Sequence, residues 1–417
     1  MLTPAYLLRL WWRGRREPGY REHLAERLAL GLAPQAPGAL WIHAVSLGET
    51  RAATALVAEL RAAQPGRPLL LTHGTATGRA AGAALLQPGD RQRWLPFDTP
   101  GAVARFLRAE QPAVGVLMET EIWPCLLRGA AQAGVPMVLA NARLSERSAR
   151  RGQRLAALLH PAGRALSLAL AQTDADALRL RAAGVPQVVV AGNLKFDVSP
   201  PPALLQLGRQ WQAAAGRPVL LAANTREGEE AELLAAWQSW RHGAGLSHVL
   251  LAIVPRHPQR FEAVAALVKA QGLRLVQRSQ WPPAEPPAAA SLAEAEVWLG
   301  DSLGELPAYY AAAEVALLGG SFQPLGGHNL IEAAACGCPI VLGPSTFNFA
   351  EAAELALRAG AAWRAAGWPE ALQQAAAVLQ APAQRAQASQ AGLAFTAAHR
   401  GAAARMAQHI VAWLPPG

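Results

Sequence analysis

The feature that most constrains this chain is a rhythm. Short apolar runs, each closed by a polar or glycine-rich turn, alternate with Ala/Leu-rich amphipathic segments, which is the strand, loop and helix pattern of a parallel α/β sheet. Six such runs occupy 40–45, 68–72, 114–118, 137–140, 165–171 and 188–191, and six more occupy 219–222, 248–254, 273–276, 296–299, 315–318 and 339–342. Between the two sets lies Asp197-Val-Ser-Pro-Pro-Pro202, which can continue neither a helix nor a central strand. The expected architecture is therefore two doubly wound α/β domains, 1–198 and 203–417, facing one another across a cleft, with the last helix free to pack back on the first domain. A length of 417 residues exceeds what one core supports, and 52% hydrophobic against 16% charged residues is enough to fill two. The Pro/Ala-rich stretch 282–290 reads as a surface loop.

Charge is unevenly placed. Residues 1–200 hold 24 Lys+Arg against 14 Asp+Glu, whereas the remaining residues hold 14 against 15. A basic first half points to an anionic partner, either nucleic acid or a membrane face. Residues Leu2 to Trp12, followed by Arg13, Arg15 and Arg16, are too few to cross a hydrocarbon core and lack a signal-peptide cleavage site. They suit an interfacial anchor, or equally an ordinary first helix. Cys125, Cys336 and Cys338 offer no disulfide framework and no metal-ligand spacing, so they read as packing residues in a reducing compartment.

In open parallel sheets ligands bind beyond the carboxyl ends of the strands, so polar residues there are the candidates. Glu49, in Ser46-Leu-Gly-Glu49, follows the first run; it is either a general base for a sugar hydroxyl or a helix N-terminal carboxylate. Glu119 and Glu121 follow another run, and in a continuing strand they would point to opposite sides, one to a reaction centre and the other to Arg143. Lys195, one of two lysines in the chain, is either a cation for a substrate carboxylate or phosphate, or an exposed hinge residue. Arg256-His257 between two prolines suits a phosphate. Gly326-Gly327-His328-Asn329 opens a helix carrying Leu330, Ile331 and Glu332, where backbone amides attract an anion and the Glu332 carboxylate can take ribose hydroxyls. Thr173-Asp-Ala-Asp176 reads as a helix cap rather than a metal site. Neither a dinucleotide fingerprint nor a phosphate-loop motif is present, which disfavours a nicotinamide cofactor and ATP hydrolysis.

Taken in order, the blocks 41–49, 72–78, 119–124, 141–148, 192–197, 255–258, 300–306, 319–332 and 343–349 resemble the 3-deoxy-D-manno-octulosonic acid (Kdo) transferase family of lipopolysaccharide biosynthesis over nearly the whole chain. The resemblance implies a GT-B fold of two Rossmann-like domains, catalysis without a metal or other cofactor, CMP-Kdo as donor and a lipid A precursor as acceptor. It implies Glu49 as the base, and Glu119 and Lys195 as residues stabilising the transition state. It also implies donor contacts from Arg256, His257, Leu303-Gly304-Glu305 and Asn329 to Glu332, beside Gly327 and His328. The implied location is the cytoplasmic face of the bacterial inner membrane, with no nucleic-acid partner. Two departures stand out: His73 and Gly74 replace part of a Thr-rich run, which is expected to alter acceptor contacts, and the N-terminal apolar segment is short.

The competing readings are a GT-B transferase or epimerase acting on a UDP-sugar, and a non-catalytic basic protein that binds membrane or nucleic acid. The scatter of the basic residues and the gathering of polar groups at strand ends speak against the latter.

Overall fold

A computed structural model describes residues 11–12, 14–15, 17–197, 199–241, 248–282 and 289–415. Of the N-terminal anchor segment, all but Trp11, Trp12 and Arg15 lies outside the described residues, as do Val198 of the hinge and 283–288 of the Pro/Ala-rich stretch. No helix among the described residues is long and apolar enough to cross a membrane.

The chain divides into two compact units, Met1–Asp197 with His399–Gly417, and Val198–Ala398. In the first, seven strands form a parallel sheet: β1 (Ala39–His43), β2 (Leu69–His73), β3 (Arg91–Trp94), β4 (Pro112–Met118), β5 (Met137–Ala142), β6 (Leu168–Ala171) and β7 (Val188–Val190), in the order β3-β2-β1-β4-β5-β6-β7. The central strands are buried along their whole length, because helices cover both faces of the sheet, and this is why they read as unbroken apolar runs rather than alternating ones. The edge strand β3 is different. Its Arg91 and Arg93 both bond the buried Glu110 carboxylate, at 2.9 and 3.1 Å, so a charged strand joins the sheet without an apolar run.

The second unit repeats the plan with β8 (Val219–Thr225), β9 (Leu250–Pro255), β10 (Leu275–Gln277), β11 (Val297–Leu299), β12 (Val315–Leu318), β13 (Ile340–Leu342) and β14 (Ala362–Arg364), ordered β10-β11-β9-β8-β12-β13-β14 and again parallel. All twelve apolar runs seen in the sequence are strands, and the two additional strands among the described residues, β3 and β14, are both edges. Strand order reverses beside β1 and β4 in one unit and beside β8 and β12 in the other. Such switch points open a crevice at the carboxyl ends of the strands.

The helix Ala402–Val411 belongs to the first unit. Asp197 accepts the Gly401 and Ala403 backbone N–H groups, each at 2.6 Å, and Arg405 Nε donates to the Ala191 carbonyl at 3.0 Å. Ala402, Met406 and Ile410 are fully buried in the same cluster as Leu56, Val116 and Leu170.

Candidate functional site

The first unit gathers carboxylates at its switch point. Ser46 caps the helix Leu47–Ala63, its hydroxyl accepting from the Glu49 N–H. In return the Glu49 carboxylate accepts from the Val45 N–H at 2.8 Å and from the Ser46 hydroxyl at 3.1 Å. This reciprocal cap holds the side chain in place, which is the helix-terminal reading of Glu49. Burial pushes the Glu49 carboxyl up to about 7, the Val45 bond opposes that rise, and the charges of Glu119 and Glu121 add to it.

Glu119 sits directly beyond β4 with φ +59, the left-handed region that disfavours a residue carrying a Cβ. The turn is held on both sides, since the Glu119 N–H donates to the Ala140 carbonyl and its own carbonyl accepts from the Arg143 N–H. Because the strand stops at Met118, the alternation expected of Glu119 and Glu121 does not apply; both carboxylates act on Glu49. Burial raises the Glu121 carboxyl, and Glu119 adds to that rise. No ion pair joins Glu121 to Arg143 among the described residues, and Arg143 is exposed.

Lys195 lies in the turn Leu194–Asp197 and is half-buried, not an exposed hinge side chain. Burial lowers its ammonium, while Glu119 counters that and Arg143 adds to it. The turn is fastened by Asn141, a fully buried residue at φ +52 whose Oδ1 accepts from the Leu194 N–H at 3.1 Å. Gln172 donates to the Asn141 carbonyl and accepts from Asn193, which in turn accepts from the Lys195 N–H. The Asn141 side-chain nitrogen is buried and has no partner among the described residues.

The expected role of His73 is corrected. Its ring is fully buried within the sheet, with Nδ1 against the Ala44 carbonyl at 3.0 Å and Nε2 against the Gln92 amide at 3.1 Å. A carbonyl can only accept, so Nδ1 carries the hydrogen and Nε2 receives one from Gln92. Burial holds this imidazole down to about 4. The substitution changes packing and does not present a group to an acceptor. Asp176 likewise caps its helix with Thr173 and accepts from the Leu144 N–H at 2.9 Å.

The second unit gathers cations. Arg226 stands beyond β8, Arg256 and His257 beyond β9, and His328 in the glycine-rich loop; burial lowers the His257 imidazole, and the charges of Arg226 and Arg256 add to that fall. His328 is held down to about 4, first by burial and then by Arg256 and Arg226, and its Nε2 is buried without a partner among the described residues. Neither Arg226 nor Arg256 has a carboxylate partner among the described residues, a vacancy of negative charge that suits a phosphate. The nearby acids are engaged elsewhere. Buried Glu229 accepts from the Gly320 N–H with both oxygens, at 2.9 and 2.7 Å, and from the Phe322 and Arg226 N–H groups. Buried Glu230 takes Thr225 and Arg260. Glu229 thereby ties the loop after β8 to the loop after β12. Gly320, at φ +69, leaves room for the His328 ring, which a Cβ there would meet at 2.9 Å.

The remaining donor candidates differ in exposure and in what already engages them. Leu330 and Ile331 are fully buried in the core, so their side chains are closed to a ligand, and the Ile331 N–H is taken by the Asn329 cap at 3.1 Å. Glu332 is half-buried in the first turn of Leu330–Ala335. Gly327, at φ +73, closes the loop by donating to the Gly320 carbonyl. Glu305 is bound by Arg278 at 2.7 Å and Ser302 at 2.5 Å, and Leu303 and Gly304 stand in an exposed turn with Gly304 at φ +82. Burial raises the Cys336 thiol to about 12, as expected of a packing residue. Among the described residues no three His, Cys, Asp or Glu side chains converge to hold a metal ion. The sequence singles out none of Arg226, Glu229 and Gln172, and Asn141 only as the start of the block 141–148; the position of Arg226, just beyond an apolar run, could have marked it.

Two parallel doubly wound units with polar groups at their switch points define the GT-B fold class. A UDP-GlcNAc 2-epimerase from Neisseria meningitidis shares this fold, at 13% identity and a TM-score of 0.57 over 90% of this chain and 99% of that one. Residues 22–198 match the family described as 3-Deoxy-D-manno-octulosonic-acid transferase (kdotransferase). A 3-deoxy-D-manno-octulosonic acid transferase from Bordetella pertussis is 47% identical over 99% of this chain and 97% of its own length, and one from Haemophilus influenzae is 33% identical over 94% and 91%. The chain belongs to the Kdo transferase family, the glycosyltransferases of lipopolysaccharide biosynthesis.

Proposed function

We propose that this chain transfers Kdo from CMP-Kdo to a hydroxyl of a lipid A precursor, with inversion at the anomeric carbon and without a metal. The observation that carries this reading is Glu49, a carboxylate fixed by its helix cap and raised to about 7 beside Glu119 and Glu121. A base poised near neutrality takes a proton most effectively from a weakly nucleophilic hydroxyl. The proton moves to Glu49 as the hydroxyl oxygen bonds the anomeric carbon of Kdo, and the bond from that carbon to the CMP phosphate oxygen breaks. Glu119 and Lys195 are assigned to steadying charge at the sugar in the transition state. Arg226, Arg256 and His257 receive the CMP phosphate, and the turn at Leu303 to Glu305 and the loop from Gly327 to Glu332 hold the nucleotide. The first unit supplies the base and the acceptor site; the second holds the donor. The protein works as a peripheral enzyme on the cytoplasmic leaflet of the inner membrane.

The test incubates the purified chain in detergent with a CMP-Kdo generating system and a tetraacylated lipid A precursor, in EDTA, and follows the product by mass spectrometry. A Kdo-bearing product supports the reading, and the added mass counts the residues transferred. Binding of CMP with no product overturns it, and UDP-N-acetylglucosamine then becomes the donor to try.

A further inference from the structure

Between Glu121 and Asp174 the chain carries seven arginines and one acid, Glu146. Four of the seven, Arg147, Arg150, Arg151 and Arg154, recur at i, i+3, i+4 and i+7 along the helix Glu146–Gln153 and its C-cap. That spacing lines one face of a helix, which corrects the expectation that the basic residues are scattered and not gathered in a stripe. The helix buries none of its residues, and the four arginines are exposed and line a shallow depression together with Glu146. Only Arg150 has an acidic partner, Glu146 at 2.5 Å; Arg147, Arg151 and Arg154 have none among the described residues. The stripe leads directly into Leu155 and Leu158, which are 58% and 54% exposed.

A helix that contributes nothing to the core, shows one face of arginines and passes into two bare leucines fits an interface between water and an anionic lipid surface. Guanidinium groups meet the headgroups, and leucines enter the acyl boundary. Nucleic acid explains the arginines but leaves the leucines without a role, and the segment offers no aromatic side chain on which a base could stack. We infer that this face, Arg147 to Leu158, docks the protein on an anionic bilayer. The inference rests on the reading of a membrane-borne acceptor and adds a second attachment surface to the N-terminal segment.

The experiment measures cosedimentation of the full chain with phosphatidylcholine vesicles with and without phosphatidylglycerol, containing neither acceptor nor CMP-Kdo. A failure of transfer therefore leaves this result standing, and the reverse also holds. Near an anionic surface each arginine contributes about fivefold in binding. Replacing all four by Gln should therefore weaken binding to anionic vesicles on the order of 100-fold, counting the three without a carboxylate partner. The milder R151Q/R154Q variant should lose about 25-fold, and L155S/L158S should bind more weakly while the binding that remains keeps its salt dependence. Melting temperature and CMP binding should stay at the wild-type level, since none of these side chains is buried. Equal binding to neutral vesicles overturns the inference. So does wild-type binding by the four-arginine variant, which would leave the N-terminal segment as the sole attachment. Tighter binding to duplex DNA than to anionic vesicles at the same salt overturns it in favour of nucleic acid.

Discussion

Replacing Glu49 by Gln separates two consequences of its raised carboxyl. Gln keeps the size and can still accept from the Val45 N–H, but it cannot take a proton. Loss of a general base costs about 100- to 10,000-fold in rate. In the wild type, a group titrating at about 7 should raise kcat/KM about tenfold between about pH 6 and about pH 8, and the variant should lack that limb. Stability moves the other way. The folded carboxyl titrates above the 4.5 of an exposed one, so the unfolded chain ionises first; the folded state's hold on the proton stabilises it fully below 4.5, and that contribution is lost as pH rises through about 7. The full shift corresponds to about 3 kcal/mol, which partial exposure of the side chain reduces to about 1–2 kcal/mol. The Gln variant should therefore be more stable than the wild type by about that amount near pH 8 and equal to it near pH 4. Urea unfolding at the two pH values, with product formation by mass spectrometry, measures both. A variant that retains a tenth of the activity, or that is less stable than the wild type near pH 8, would refute the reasoning.

Three further outcomes are expected. Glu119→Gln removes one of the charges that raise Glu49, so the acid limb of the kcat/KM profile, followed by product formation across pH, should move to lower pH. Asn141→Ala should cost about 2–4 kcal/mol in chemical denaturation, because it orphans the buried Leu194 N–H and puts a Cβ residue without a side-chain acceptor at φ +52. Arg226→Ala should weaken CMP binding about 10- to 100-fold by calorimetry, with a shallower salt dependence, while leaving the first unit's melting unchanged.

The fold was legible where burial on both faces of a sheet left a run of apolar residues. It was illegible at β3, where Arg91 and Arg93 are paid for by Glu110, a residue 17 to 19 positions away, and at the short edge strand Ala362–Arg364. The site divides in the same way. Glu49, Arg256 and His257 stand immediately beyond apolar runs and could be read from position. Glu229 sits in an acidic run that looks like a solvated helix start, yet it is fully buried because the Gly320 and Phe322 amides, some 90 residues on, converge on it. Asn141 carries no local signal either, since its partner Leu194 is 53 residues away. The Glu119-Thr-Glu121 pair misled through an assumption of continued strand periodicity, which the left-handed turn at Glu119 removes.

The helix Ala402–Val411 sets an order of events during synthesis. Its bond from Gly401 to Asp197 spans 204 positions, so the whole second unit must leave the ribosome before the first can close its core. At bacterial elongation rates that delay is on the order of 10–40 s, during which Leu56, Val116 and Leu170 lack the cover of Met406 and Ile410. A nascent chain in this state presents an apolar face at the time when neighbouring chains are most crowded. A protein truncated after Ala398 would keep every residue assigned a role in binding or chemistry and still be expected to accumulate as aggregate.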